Sequence, residues 1–267
     1  MNTMVTVGKT PLGEDVKLGL SSGLLGLIQG QSGSGKSVLS SEIVISLAEA
    51  MGASFQPICI DPKRVSLAWL LPRAHVYINE NDWLQVIDSL CSEMERRYLY
   101  MLREGLEEYP ISPERPFILL VLEEMSAITN SQHLLKKERE HFQSQLVDYV
   151  NRCRQCGMGL LIICQSCDSS VMPTVVRSDC STRFAMKTSG QEQVKMISAG
   201  REEECPCDLL TLPGQFYALT SETGGRWIKG RAPQPMSMEE RVKRVARLAA
   251  DKRTPYCLKW DSPEFLG

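Results

Sequence analysis

No apolar run in this 267-residue chain approaches the ~18–20 residues that cross a bilayer as a helix. The opening stretch, MNTMVTVGKTPLGED, lacks the apolar core of a secretory signal. Charge of either sign is not in excess: 30 Lys+Arg against 32 Asp+Glu leave a net charge of −2. Global charge therefore does not announce a nucleic-acid binder, and any such contact must come from local patches. Internal repeats and low-complexity tracts are missing too. These absences lead us to expect a soluble, cytoplasmic chain with no membrane span. Its length suits one large α/β domain or two small ones, and 43% hydrophobic with 23% charged residues is ordinary globular composition.

Cysteine, by contrast, is plentiful, with 10 in the chain. In a reducing compartment these are thiols and not a disulfide framework. Cys153/Cys156 and Cys164/Cys167 form two C-x-x-C pairs that invite a zinc reading. Met158–Ile163 between them reads as a buried strand, which at ~3.3 Å per residue puts the pairs ~20 Å apart, too far to share one tetrahedral ion. Small buried residues are the preferred reading.

The organising stretch is Leu24–Ser40, LLGLIQGQSGSGKSVLS. An apolar strand runs into a Gly/Ser turn, and Lys36-Ser37 opens a helix. Gly30, Gly35, Lys36 and Ser37 satisfy G-x-x-x-x-G-K-[ST], the phosphate-binding P-loop. Glycines let backbone N–H groups approach phosphate oxygens, and the helix N-terminus adds its positive end. The nucleotide-binding residues are therefore expected to be Gly30, Gln31, Ser32, Gly33, Ser34, Gly35, Lys36, Ser37 and Val38. Lys36 would reach the β/γ-phosphates of ATP or GTP, and the Ser37 hydroxyl would ligate Mg²⁺.

Before this stretch, Met4–Val7 and Asp15–Leu20 read as a hairpin around a Pro-Leu-Gly turn. After it, a helix is expected from Lys36 to Met51, stopped by Gly52. Strands follow near Gln56–Ile60 and His75–Ile78. A long helix starts near Asp82, capped by Asn79 or Asn81, and is ended by Pro110 and Pro113. Phe117–Leu122 is six apolar residues in a row, the pattern of a central parallel strand. A polar helix (Leu134 to Cys156), strands at Leu160–Cys164 and Arg183–Lys187, and a helix at Gln191–Ser198 come next. Gly214–Thr220 and Arg226–Gly230 read as a closing hairpin. Met238–Arg253 reads as an amphipathic helix, with six Lys/Arg and three Asp/Glu between Glu239 and Arg253. It could bind DNA or an acidic partner, or be a solvated face, and its loss is expected to spare basal turnover. The expected fold class is α/β: a mostly parallel central sheet with helices on both faces, plus the N-terminal hairpin and C-terminal tail helix, with nucleotide at the strands' carboxyl ends.

Glu123-Glu124 directly follow the Phe117–Leu122 strand. An apolar strand ending in acid has the Walker B form, in which one carboxylate holds Mg²⁺ and the next polarises the attacking water. Alone, the same pattern also fits a strand ending in solvated carboxylates. Gln165, just past the Leu160–Cys164 strand, is placed to sense the γ-phosphate or that water, or is a polar strand-end residue.

These blocks, in order, resemble the motor domain of the FtsK/SpoIIIE DNA translocases, within the HerA/FtsK superfamily of P-loop ATPases. The blocks are GQSGSGKSVL (30–39), IDPKRVSL (60–67), EMERRY (93–98), ILLVLEEMSAI (118–128), RQCGMGLLIICQS (154–166) and STRFAMKTSG (181–190). EMERRY is the most telling, because no general P-loop chemistry requires it. The resemblance spans about residues 20–230. It implies a RecA-like motor over 1–235 with a basic amphipathic tail over 236–267, acting as a homo-hexameric ring on double-stranded DNA with ATP between subunits. It also implies Glu124 as the catalytic glutamate, Gln165 as polar sensor, and Arg183 as an arginine acting on the neighbouring subunit's ATP. Lys195 falls in a segment that would face the DNA channel. Three departures stand out. Glu123 replaces Asp, which could slow turnover, Ser181 replaces Pro before Thr182-Arg183, and Ser166-Cys167 replace Arg-Pro. Neither a long Pro/Gln linker nor a C-terminal winged-helix module is seen, as in stripped motors of mobile elements, plasmids and phages.

The expected function is thus an ATP-hydrolysing, Mg²⁺-requiring, DNA-dependent translocase in DNA transfer, segregation or packaging. The alternatives are a HerA-type or packaging-type ATPase that needs a loading partner, and a low-turnover nucleotide-dependent switch.

Overall fold

The computed structural model describes residues 3–20, 23–71 and 74–245. In chain order they form β1 (Met4–Lys9), β2 (Asp15–Gly19), β3 (Leu25–Gln29), α1 (Lys36–Met51), β4 (Phe55–Ile60), β5 (His75–Tyr77), α2 (Glu80–Glu104), β6 (Phe117–Glu123), α3 (Met125–Thr129), α4 (Lys136–Arg152), β7 (Met158–Cys164), α5 (Thr174–Asp179), β8 (Thr182–Met186), α6 (Gln191–Ser198), β9 (Gln215–Leu219), β10 (Ile228–Arg231) and α7 (Met238–Arg244).

All ten strands join one sheet, ordered β2-β1-β10-β9-β8-β3-β7-β6-β4-β5. From β8 to β5 every neighbouring pair is parallel. The four strands β9, β10, β1 and β2 extend that sheet antiparallel, so the two expected hairpins are one continuous edge ribbon. The mostly parallel α/β reading holds, with this antiparallel extension added.

The apolar runs are central strands for the reason expected: both faces are covered. Period-2 alternation sends Leu25, Leu27, Leu120, Leu122, Leu160 and Ile162 to a core shared with α2 and α4. Ile28, Leu119, Val121, Leu161 and Ile163 point the other way, onto α1. Helix α1 is buried along most of its length, including the polar Ser40, Ser41, Glu42 and Ser46.

The ends of α2 differ from expectation. It starts at Glu80 after Asn79, and it stops at Gly105 and not at Pro110. Gly105 adopts φ 66°, and Leu106 N–H bonds the Met101 carbonyl at 2.9 Å, so a Schellman-type stop ends the helix before the prolines are reached. The polar helix is also shorter, Lys136–Arg152. Helices α3 and α5 were not expected.

Helix α7 begins with a capping box, in which Ser237 Oγ accepts from Glu240 N–H and the Glu240 carboxylate accepts from Ser237 N–H at 2.8 Å. It is neither free nor simply solvated. Arg244 forks onto Glu49 of α1 (2.8 and 2.7 Å) and reaches Glu42 at 3.2 Å. The tail therefore braces the helix that follows the P-loop. The rest of the expected tail helix lies outside the described residues.

Candidate functional site

The P-loop leaves the carboxyl edge of β3, between the parallel neighbours β7 and β8. Gly30 N–H bonds the Cys164 carbonyl at 3.2 Å and Gln31 N–H bonds the Lys187 carbonyl at 2.7 Å, tying the loop entry to both. A Cβ on Gly30 would lie 2.7 Å from Ser34 Oγ and 2.8 Å from Met186 Cβ, so only glycine fits. Gly33 and Gly35 take φ 76° and 103°. A Cβ on Gly35 would meet Gly214 N at 2.7 Å, and Gly214 N–H in turn bonds the Ser34 carbonyl at 2.8 Å. The turn before β9 thus buttresses the loop from outside. Ser32 and Gly33 face solvent, while Gln31, Ser37 and Val38 are half-buried.

Lys36 is buried and folds back onto its own loop, donating to the carbonyls of Gly30 (2.6 Å) and Gln31 (3.0 Å). Burial pulls its pKa down, against the opposing fields of Glu124 and Glu123. The Ser34 hydroxyl is buried with no protein partner.

β6 ends at Glu123, two strands from β3. Its side chain is fully buried, Oε1 lies 3.4 Å from Lys63 Nζ, and Oε2 is buried with no hydrogen-bond partner. Burial raises the Glu123 pKa, and Asp61 and Glu124 add to the rise while Lys63 opposes it. Glu124 sits at φ 61°, ψ 72°, a left-handed backbone that costs a non-glycine residue about 1–2 kcal/mol. Its N–H bonds the Ile163 carbonyl at 2.8 Å, which fixes the turn. The carboxylate accepts from Ser126 Oγ (2.7 Å), Gln165 Nε2 (3.1 Å) and Lys63 Nζ (3.1 Å). Burial alone would raise the Glu124 pKa, but these three donors together hold it below the ordinary value. Two adjacent carboxylates are therefore driven apart in proton affinity.

Lys63 is the residue of this site that sequence reasoning missed. It follows β4, and β4 pairs with β6 in the register Ile60↔Leu122. Asp61-Pro62-Lys63 therefore emerges beside Glu123-Glu124. Asp61 is fully buried and accepts from Lys63 N–H (3.1 Å) and Leu67 N–H (2.8 Å), which shapes the loop that aims Lys63. Arg64, next along, has φ 64°. The IDPK block carried the signal, but its meaning depends on which strand lies beside which.

The structure thus brings together Lys36, Glu123, Glu124 and Gln165, with Lys63 added. Arg183 does not join them. It is buried in β8, and its guanidinium donates within the subunit to the carbonyls of Cys180 (2.9 Å), Ile197 (3.0 Å) and Arg177 (2.8 Å). Acting on a neighbour's nucleotide would require exchanging those carbonyls. Lys195 is exposed on α6. Cys153, Cys156, Cys164 and Cys167 are all buried, and burial raises each thiol's pKa.

EMERRY lies at the opposite edge of the sheet. Arg97 is 1% exposed and pairs with Glu93 at 2.8 Å. The same guanidinium donates to the carbonyls of Cys156 (2.9 Å), Gly157 (3.0 Å) and Pro116 (2.9 Å), the residues that lead into β7 and β6. Its plane lies 4.4 Å from the Tyr109 ring centre. Tyr98 OH bonds the Arg152 carbonyl at 2.6 Å, fastening α2 to the end of α4. The block is a structural clasp on the amino ends of the strands whose carboxyl ends carry Glu123, Glu124 and Gln165.

Fold and loop together define a P-loop ATPase fold of the RecA-like class. Comparison with known proteins shows what the chain is similar to. Residues 1–114 match the family model described as "FtsK/SpoIIIE family". Over 247 residues the chain is 24% identical to the DNA translocase FtsK of Staphylococcus epidermidis, covering 85% of this chain and 30% of that protein. Protein Tra of Streptomyces lividans is 36% identical over 115 residues, 43% of this chain and 18% of that one. Among solved structures, the pCW3 conjugation coupling protein TcpA, a monomer with ATPγS, superposes with a TM-score of 0.75 at 16% identity, over 90% of this chain and 70% of that one. Residues 1–114 thus resemble the FtsK/SpoIIIE family, and the chain spans less than a third of the length of these two curated relatives. Among the described residues no helix is long and apolar enough to cross a membrane.

Proposed function

We propose that this chain is an ATP-hydrolysing motor that moves along double-stranded DNA as a ring oligomer, with the nucleotide at the carboxyl edge of β3. The observation that carries the reading is Glu124: an ionised carboxylate on a left-handed turn, aimed by Ser126, Gln165 and Lys63, at the sheet edge that also holds the P-loop lysine. A carboxylate fixed in that way suits orienting and deprotonating a water at its Oε2. Gln165 shares that oxygen and is placed to hold the same water. Lys36, now spending its protons on two loop carbonyls, is the donor that phosphate oxygens would recruit.

The donors also fit Mg²⁺, which takes hydroxyl and carboxylate oxygens and would neutralise phosphate charge. Ser37 at the start of α1 and Glu123 would hold it, and the unpartnered, buried Glu123 Oε2 is the oxygen that asks for a cation. Among the described residues no cluster of three or more His, Cys, Asp or Glu could hold a metal alone, so the ion would share its shell with phosphates and water.

DNA as the track rests on likeness to curated DNA translocases. Lys195 is proposed to face the DNA. Arg183 is proposed to act across a subunit boundary only once assembly frees it from its three carbonyls. Purified protein should hydrolyse ATP faster when duplex DNA is added, and Lys36→Ala should abolish both rates. Equal turnover with and without DNA, together with no DNA binding at low salt, would refute the proposal.

A further inference from the structure

Lys63 Nζ lies within 3.4 Å of Glu123 and 3.1 Å of Glu124, and among the described residues it is the one cation within ion-pair distance of either carboxylate. Glu123 is wholly buried, with one oxygen on Lys63 and the other on nothing. Lys63 is thus the counter-charge against a buried carboxylate oxygen. The side chain of Lys63 is 39% exposed, so it has a path to solvent. Arg64 at φ 64° follows it, in a loop held by the Asp61 carboxylate and not by a strand ladder.

We infer that Lys63 is a tethered counter-cation, which occupies the acidic pair while the site lacks nucleotide and keeps a bare divalent ion out until phosphates arrive with it. The inference rests on the proposed role of Glu123 as a metal ligand. Its physics is competition: one ammonium on two carboxylates satisfies them less fully than a divalent ion with phosphate ligands, but well enough to defeat the ion alone. Lys36 is stored in the same manner on its own loop carbonyls. Both lysines thus sit on internal acceptors, and in this scheme nucleotide and metal displace both. Lys63 is a positioning residue in this scheme: it sets the order in which metal and nucleotide enter.

The test is direct titration of nucleotide-free, full-length protein with Mn²⁺, read by electron paramagnetic resonance or calorimetry. Wild type and Lys63→Arg should bind Mn²⁺ only weakly. Lys63→Gln should bind it at least tenfold more tightly, and adding Glu123→Gln to that variant should remove the gain. Thermal unfolding in EDTA verifies that each variant is folded, and Lys63→Met serves as a second neutral variant. The inference is overturned if neither neutral variant binds Mn²⁺ more tightly than wild type, or if the gain survives Glu123→Gln. Wild type with a non-hydrolysable ATP analogue forms a separate arm. Failure to bind Mn²⁺ there defeats the metal role of Glu123, and this inference with it; binding there without a gain in Lys63→Gln defeats the inference alone.

Discussion

Arg97→Ala offers the sharpest test of how the fold is held. The wild-type guanidinium serves Glu93, two carbonyls leading into β7 and one leading into β6, and it is 1% exposed. Removing one partner of a buried pair costs about 3–5 kcal/mol, because the other charge stays buried. The orphaned carbonyls overlap with that loss, and Arg96, which also bonds Glu93, offsets part of it. A net loss of about 4 kcal/mol is expected, which for a chain of this size lowers the unfolding midpoint by about 7–8 °C. Arg97→Lys should lose roughly half as much, since one ammonium cannot reach Glu93, Gly157 and Pro116 together. Glu93→Gln with Arg97→Met should recover to within about 1–2 kcal/mol of wild type. Thermal and urea unfolding of nucleotide-free protein measure this. Nucleotide affinity of the folded fraction should not change, because the clasp lies at the opposite edge from Lys36. An Arg97→Ala protein within about 1 kcal/mol of wild type would refute the reasoning.

Other expectations concern the site itself. Glu123→Gln should stabilise the nucleotide-free protein by about 1 kcal/mol, since a buried and half-partnered charge is removed, while abolishing hydrolysis; a lowered midpoint would contradict this. The pH dependence has a definite sign. The folded Glu123 pKa is raised, so the folded state binds more protons between the ordinary and the raised value, and that part of the stability falls as pH rises through this window. Glu124 is lowered and acts oppositely, with its contribution present above the ordinary value and lost as pH falls. The wild-type minus Glu123→Gln stability difference should therefore decline as pH rises from the ordinary carboxylate range; a flat difference would argue against it. Gly35→Ala should cost several kcal/mol, from the φ of 103° and the 2.7 Å approach to Gly214 N, and should weaken nucleotide binding beyond tenfold. Arg183→Ala should lower the unfolding midpoint of the monomer, because three carbonyls lose their donor. An unchanged midpoint with lost activity would assign Arg183 to the neighbour's site alone.

Much of the site was legible because its signals are local. The P-loop declares itself in eight residues, and its strand and helix fall where the motif needs them. Glu123-Glu124 end an apolar strand that could only be central. What stayed hidden depends on the third dimension. Lys63 acquires meaning once β4 is known to lie beside β6, an adjacency that chain order does not give. EMERRY carried a resemblance but not its own job, since Arg97 bonds carbonyls about 20 and 60 residues away along the chain. The C-terminal stop of α2 was misplaced because the prolines were conspicuous, whereas Gly105 four residues before Tyr109 acts first. The tail's basic face reads as open to DNA, an acidic partner or solvent because Glu42 and Glu49, its partners, lie about 200 residues earlier.

The proposed coupling of ATP hydrolysis at Lys36 and Glu124 to work on duplex DNA is checked by ATPase activity titrated with duplex DNA at two salt concentrations. Stimulation should saturate, DNA affinity should weaken steeply at the higher salt as phosphate contacts are screened, and Lys36→Ala and Glu124→Gln should be inactive. Turnover indifferent to DNA at both salt concentrations, or activity that persists in Lys36→Ala, would contradict it.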